Sequence, residues 1–98
     1  MILIIWEYRV KPEYAGEFET LYSPRGEWVH LFSKHAGYLH TELLKKKGEP
    51  HTYITIDRWS TEDDYHKFLF TAKEEYDRID AMCASLTLQE VKLGVFEE

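Results

Sequence analysis

From Tyr53 the chain reads Tyr-Ile-Thr-Ile-Asp-Arg-Trp, so alternate residues set Thr55 and Asp57 between Tyr53 and Trp59. On a strand these four side chains share one face. A carboxyl and a hydroxyl held among rings must find partners or border a wet cavity, because their burial without hydrogen bonds is costly. Trp6 and Tyr8 form a second alternation, and Trp28, Tyr65, Phe68 and Tyr76 recur in segments with helical spacing. Three Trp, seven Tyr and five Phe in 98 residues make either a filled core or a flat slot for a planar organic molecule.

Other chemistries lack their residues. No two of His30, His35, His40, His51 and His66 stand four apart, and no HExxH occurs, so no metal site is expected. GxGxxG, P-loop and GxSxG motifs are absent. Cys83 is the only cysteine, which leaves no internal disulfide and no thiolate cage. The net charge of −6 repels a phosphate backbone, and no basic RNP-type strand carries stacking aromatics, so nucleic acid is not an expected partner. Met1–Trp6 is apolar but too short for a signal or membrane segment, and Glu7 and Arg9 follow it. The expectation is one cytoplasmic domain over residues 1–98 with no membrane contact.

The elements that must position these residues follow from periodicity. Residues 2–10 predict a strand, and Lys11-Pro12 closes it and opens a helix. Tyr14, Phe18, Leu21 and Tyr22 keep helical spacing; Ser23-Pro24 interrupts it, with Ser23 as candidate cap, and Trp28, Leu31, Phe32 and His35 resume it. Strands over 38–45 and 52–59 flank a loop at Lys46–Pro50. Ser60 with Asp63 resembles a capping box before a stripe of Tyr65, Phe68, Leu69, Ala72, Tyr76, Ile79 and Cys83, with a break expected near Thr71. Residues 87–96 predict the last strand.

The order β-α-β-β-α-β is the ferredoxin-like α+β arrangement: a four-stranded antiparallel sheet with its helices on one face. Leu3, Ile5, Ile54 and Ile56 then lie on the other face. An apolar patch of that extent calls for cover, and a second sheet supplies it as a homodimer.

Trp6-Glu7-Tyr8-Arg9-Val10-Lys11-Pro12 resembles the first strand of antibiotic biosynthesis monooxygenase domains, and Tyr53–Ser60 running into Tyr65 and Phe68 is similar to that family's strand ending in Trp-x-Ser. The resemblance covers nearly the whole chain. It implies a dimeric α/β barrel with a cavity between sheet and helices. It also implies cofactor-independent oxidation of a small phenolic, quinol-like or polyketide-like aromatic by dioxygen. Trp59 and Tyr65 match cavity-lining positions of such members, Thr55 replaces an Asn, and Arg78 is a loose counterpart of an Arg. The family's haem-degrading branch uses an Asn, a Trp and a His where this chain has Trp6, Phe68 and Arg78, so neither haem nor any other cofactor is expected. On this resemblance the candidate catalytic residues are Trp59 and Tyr65 to hold the ring, with Asp57 or His35 as base. Tyr8, Trp28, Thr55 and Tyr76 are candidate substrate-binding residues. The alternative is a non-catalytic dimeric domain, binding small molecules or associated with stress; a third reading is a structural protein with a packed interior.

Overall fold

A computed structural model describes residues 1–98. Strand β1 spans Ile2–Val10, β2 Tyr38–Lys45, β3 Thr52–Trp59 and β4 Thr87–Glu97; helix α1 spans Ala15–Tyr22, α2 Glu27–Phe32, α3 Glu62–Thr71 and α4 Lys73–Cys83. The four strands form one antiparallel sheet in the order β2-β3-β1-β4. This is the ferredoxin-like α+β fold expected from the alternation.

Helices cover the face that carries Ile4, Tyr8, Val10, Tyr53 and Trp59, all buried. The rings of Phe18 and Tyr22 from α1 pack on Tyr8, and Phe68 from α3 packs on Trp59. Burial of such rings is the largest favourable contribution available to a chain this small. The opposite face has no helix over it. Leu3, Ile5, Ile54 and Ile56 are half-buried there, and Leu44, Val91 and Phe96 are exposed. Arg58 shares that face and is ion-paired with Glu42.

Two helix starts differ from expectation. Thr61, not Ser60, caps α3: its hydroxyl accepts the Asp64 N–H at 3.1 Å. Ser23 ends α1 instead of starting α2, and Gly26 stands at the start of α2. In both places the hydroxyl one or more residues away was the nearer match to a pattern, while backbone geometry selected another residue. The break at Thr71 is present, with Ala72 between α3 and α4.

Strand β4 pairs with β1 irregularly. Ile5 faces Gly94 and Trp6 faces Lys92, so Leu93 is an extra residue bulged out of the ladder. Gly94 has φ +149°, a value open to glycine and strained for other residues. Because of the bulge, Glu90 stands opposite Tyr8 and Lys92 opposite Trp6, both on the helix-covered side.

Gly37 leads into β2 at φ +91°, and a Cβ there would lie 2.4 Å from Asp64 Oδ2 and 2.5 Å from Asp64 Cβ. Gly37→Ala is therefore expected to lower stability by about 1–3 kcal/mol. Urea unfolding would show a lower midpoint with an unchanged slope; an unchanged midpoint would mean that the turn relaxes freely.

Candidate active site

Between the sheet and α1, α2 and α4 lies a half-open pocket lined by Trp6, Tyr8, Tyr22, Trp28, Phe32, Thr41, Thr55, Asp57, Tyr76, Asp80 and Glu90. It offers about 40 Å³ to the centres of water molecules. That is room for roughly three waters.

Asp57 is the chemical centre of this pocket. β3 directs it under the helices, and β2 sets Thr41 directly opposite. The Thr41 hydroxyl donates to Asp57 Oδ1 at 2.6 Å. With that proton committed, Thr41 accepts from the Tyr38 hydroxyl at 2.7 Å. The relay holds one carboxylate oxygen; the other has no side-chain hydrogen bond and belongs to the pocket wall. Burial pushes the Asp57 carboxyl up to about 6, against the Thr41 hydroxyl, which favours the anion. A carboxylate with that affinity for protons is matched to proton abstraction near neutral pH.

The surrounding tyrosines are poor acids. Burial raises Tyr8 well above its ordinary value, with Tyr22 adding to the effect. Tyr76 is raised by burial and then by Tyr65, Asp80, Glu90 and Asp57. Glu90 is raised by burial and by the neighbouring Asp80. Carboxylates thus dominate the field in the pocket. Trp28 Nε1 is buried with no hydrogen-bond partner, although the Tyr22 hydroxyl and Cys83 thiol stand beside it.

Of the eight residues singled out from sequence, the structure brings Tyr8, Trp28, Thr55, Asp57 and Tyr76 together around the pocket. Trp59, Tyr65 and His35 are not among its lining residues. Trp59 is fully buried at the end of β3, its ring against Phe32, Tyr38, Tyr65 and Phe68. Tyr65 packs on Trp59, and its hydroxyl accepts from Lys92 Nζ at 3.4 Å; burial pushes its own proton affinity up to about 12, helped by Asp57. His35 sits edge-on to Phe68, 5.0 Å between centroids. These three form a packed layer beside the pocket instead of its wall.

Trp6 belonged to the aromatic set expected around a slot, whereas Tyr22, Phe32, Thr41, Asp80 and Glu90 were passed over as pocket residues. Asp80 carried a signal, since it stands four residues after Tyr76 and so shares its helical face. Thr41 and Glu90 depend on strand register. No group of three or more His, Cys, Asp or Glu side chains is placed to hold a metal ion.

The family model described as antibiotic biosynthesis monooxygenase matches residues 1–77. The chain belongs to the antibiotic biosynthesis monooxygenase family. Solved structures share its fold. SnoaB, a cofactor-independent oxygenase from Streptomyces nogalater, is 17% identical with a TM-score of 0.77, over 99% of this chain and 91% of that one. A single-site variant of SnoaB superposes with a TM-score of 0.81 at 18% identity, over the same shares of both chains. A conserved protein from Methanosarcina mazei is 15% identical with a TM-score of 0.74, over 99% and 91%. No curated protein matches the chain. In this member of the antibiotic biosynthesis monooxygenase family, no helix is long and apolar enough to cross a membrane.

Proposed function

We propose that this protein is a cofactor-independent monooxygenase acting on a small single-ring phenol or quinol within a homodimer. The observation that carries the reading is Asp57, a half-buried carboxylate steadied by Thr41 and open on one side to an aromatic-walled pocket. Family membership and the SnoaB likeness support it. The narrow pocket favours one ring over a fused polyketide in this arrangement of side chains.

The reaction balances without an added reductant. Asp57 accepts the phenolic proton, and because its charge is neutralised as the phenolate forms, the pocket's total charge stays constant. The phenolate passes an electron to dioxygen, and recombination at a hydrogen-bearing ring carbon ortho or para to the oxygen, with protonation, gives a hydroperoxide. Loss of water leaves a quinone: one phenol and one dioxygen yield one quinone and one water. Tyr8, Trp28 and Tyr76 hold the ring, and Thr55 offers a hydroxyl where relatives of the resembling kind carry an Asn. Trp59, Tyr65 and His35 buttress this wall in the reading, with Tyr65 acting through packing and its Lys92 contact.

Oxygen uptake with simple phenols and hydroquinones tests it. Stoichiometric dioxygen consumption with quinone formation is expected, and Tyr65→Phe should keep most of the turnover because it leaves the packed ring in place. Saturable quenching of tryptophan fluorescence with no oxygen uptake would assign the non-catalytic binding role instead. The homodimer proposal rests on the uncovered apolar face of the sheet.

A further inference from the structure

The pocket's charge is one-sided. Asp57, Asp80 and Glu90 line it, and no Lys, Arg or His does. The nearest cation on the covered side of β4, Lys92, is turned onto Tyr65: its Nζ is 3.4 Å from the hydroxyl and 5.4 Å from the ring centre. Asp57 lies at the buried end, whereas Asp80 and Glu90 are exposed at the opening. Between them stand the faces and edges of Trp6, Tyr8, Trp28 and Tyr76. The carboxylates are not gathered as a metal ligand set. They are spread along the pocket, which suits an extended molecule with different groups at its two ends.

We propose that the pocket selects an aromatic ligand bearing a protonated amine, with its ring and hydroxyl inside near Asp57 and Trp28 and its ammonium between Asp80 and Glu90. The inference rests on the reading of this pocket as the substrate site and adds the charge of the substrate. Aromatic faces attract an organic cation through their quadrupoles, and two carboxylates at the opening add to the attraction. The side of Asp57 left free by Thr41 is answered by a phenolic hydroxyl, which donates to its second carboxylate oxygen. A carboxylated phenol would instead place a fourth negative charge in the same space. Solvation explains Asp80 and Glu90 singly, but leaves unexplained the absence of any cation from the lining.

Three ligands of nearly the same shape test the charge: tyramine, 4-ethylphenol and 3-(4-hydroxyphenyl)propionate. Each is titrated against tryptophan fluorescence at pH 7.5 and low salt. Tyramine is expected to bind about tenfold more tightly than 4-ethylphenol, with the propionate weakest and the tyramine advantage shrinking as salt rises. Glu90→Gln with Asp80→Asn, both exposed positions, should bring tyramine to within about twofold of 4-ethylphenol. Glu90→Gln alone should give an intermediate value. Equal affinities for all three ligands in the native protein would overturn the inference and leave the pocket reading standing. Quenching by none of them would overturn both, and a tyramine preference that survives the double substitution would overturn the role given to Asp80 and Glu90.

Discussion

Asp57→Asn is expected to lower oxidative turnover by about 10²–10⁴-fold, the range for loss of a general base, while making the folded protein more stable. Asn can still accept the Thr41 proton, so the relay from Tyr38 survives and only the proton acceptor is lost. The stability gain follows from the raised proton affinity. In the folded protein Asp57 titrates at about 6 against an ordinary 3.8. Its folded form therefore prefers the neutral acid. Stability from this group is fully present below about pH 4 and is lost as pH rises through about 6, by about 3 kcal/mol. Turnover runs the other way, rising through pH 6 as the carboxylate forms and levelling above it. Denaturant midpoints and initial rates measured between pH 4.5 and 8 check both slopes. A variant that keeps native turnover would remove Asp57 from the chemistry, and one less stable than the native protein at pH 8 would show that the carboxylate is better solvated than its burial implies.

Ile56→Asp is expected to abolish the dimer. Ile56 sits on central strand β3, opposite Ile5, on the face that no helix covers. Stacked sheets would bury one unpaired carboxylate per protomer, at a cost of about 3–5 kcal/mol each. Across two protomers that raises the dissociation constant by at least about 10⁴-fold. Phe70→Asp is the control: Phe70 is 88% exposed on α3, on the opposite side of the molecule, and should leave the mass unchanged. Light scattering at micromolar concentration reads both. A monomeric native protein, or a dimer that Ile56→Asp leaves intact, would rule out the apolar face as the interface. Arg58 does not argue against its burial, because Glu42 already pairs with it.

The fold was legible because β1 from Trp6 onward and β3 from Tyr53 onward alternate, so one parity of residues identifies the covered face along both strands. That parity also placed Tyr8, Thr55 and Asp57 together. Trp59 obeyed the same parity yet lies outside the pocket, since position along a strand decides which helix stands above it and alternation carries no such information. Tyr65 and His35 lie outside the lining for a related reason: they pack on Trp59 and Phe68 over the end of β3. Thr41 could be matched to Asp57 only with the register of the hairpin in hand, which is displaced near Tyr38. Glu90 was least accessible of all, because two irregularities in β4 reset its facing.

The Leu93 bulge gives this strand two possible identities. Were it ironed flat with every residue kept, Leu93 would move opposite Trp6 and Val91 opposite Tyr8, while Lys92 and Glu90 would turn to the uncovered side. The pocket would keep Asp80 as the one charge at its mouth and become greasier there, and the uncovered face would acquire two charges. A one-residue shift of register in this strand therefore changes the pocket's charge and the uncovered face together. The family match ends at residue 77, ahead of this strand. Asp57 lies inside the matched residues, while Asp80 and Glu90, which set the charge at the pocket's opening, lie beyond them.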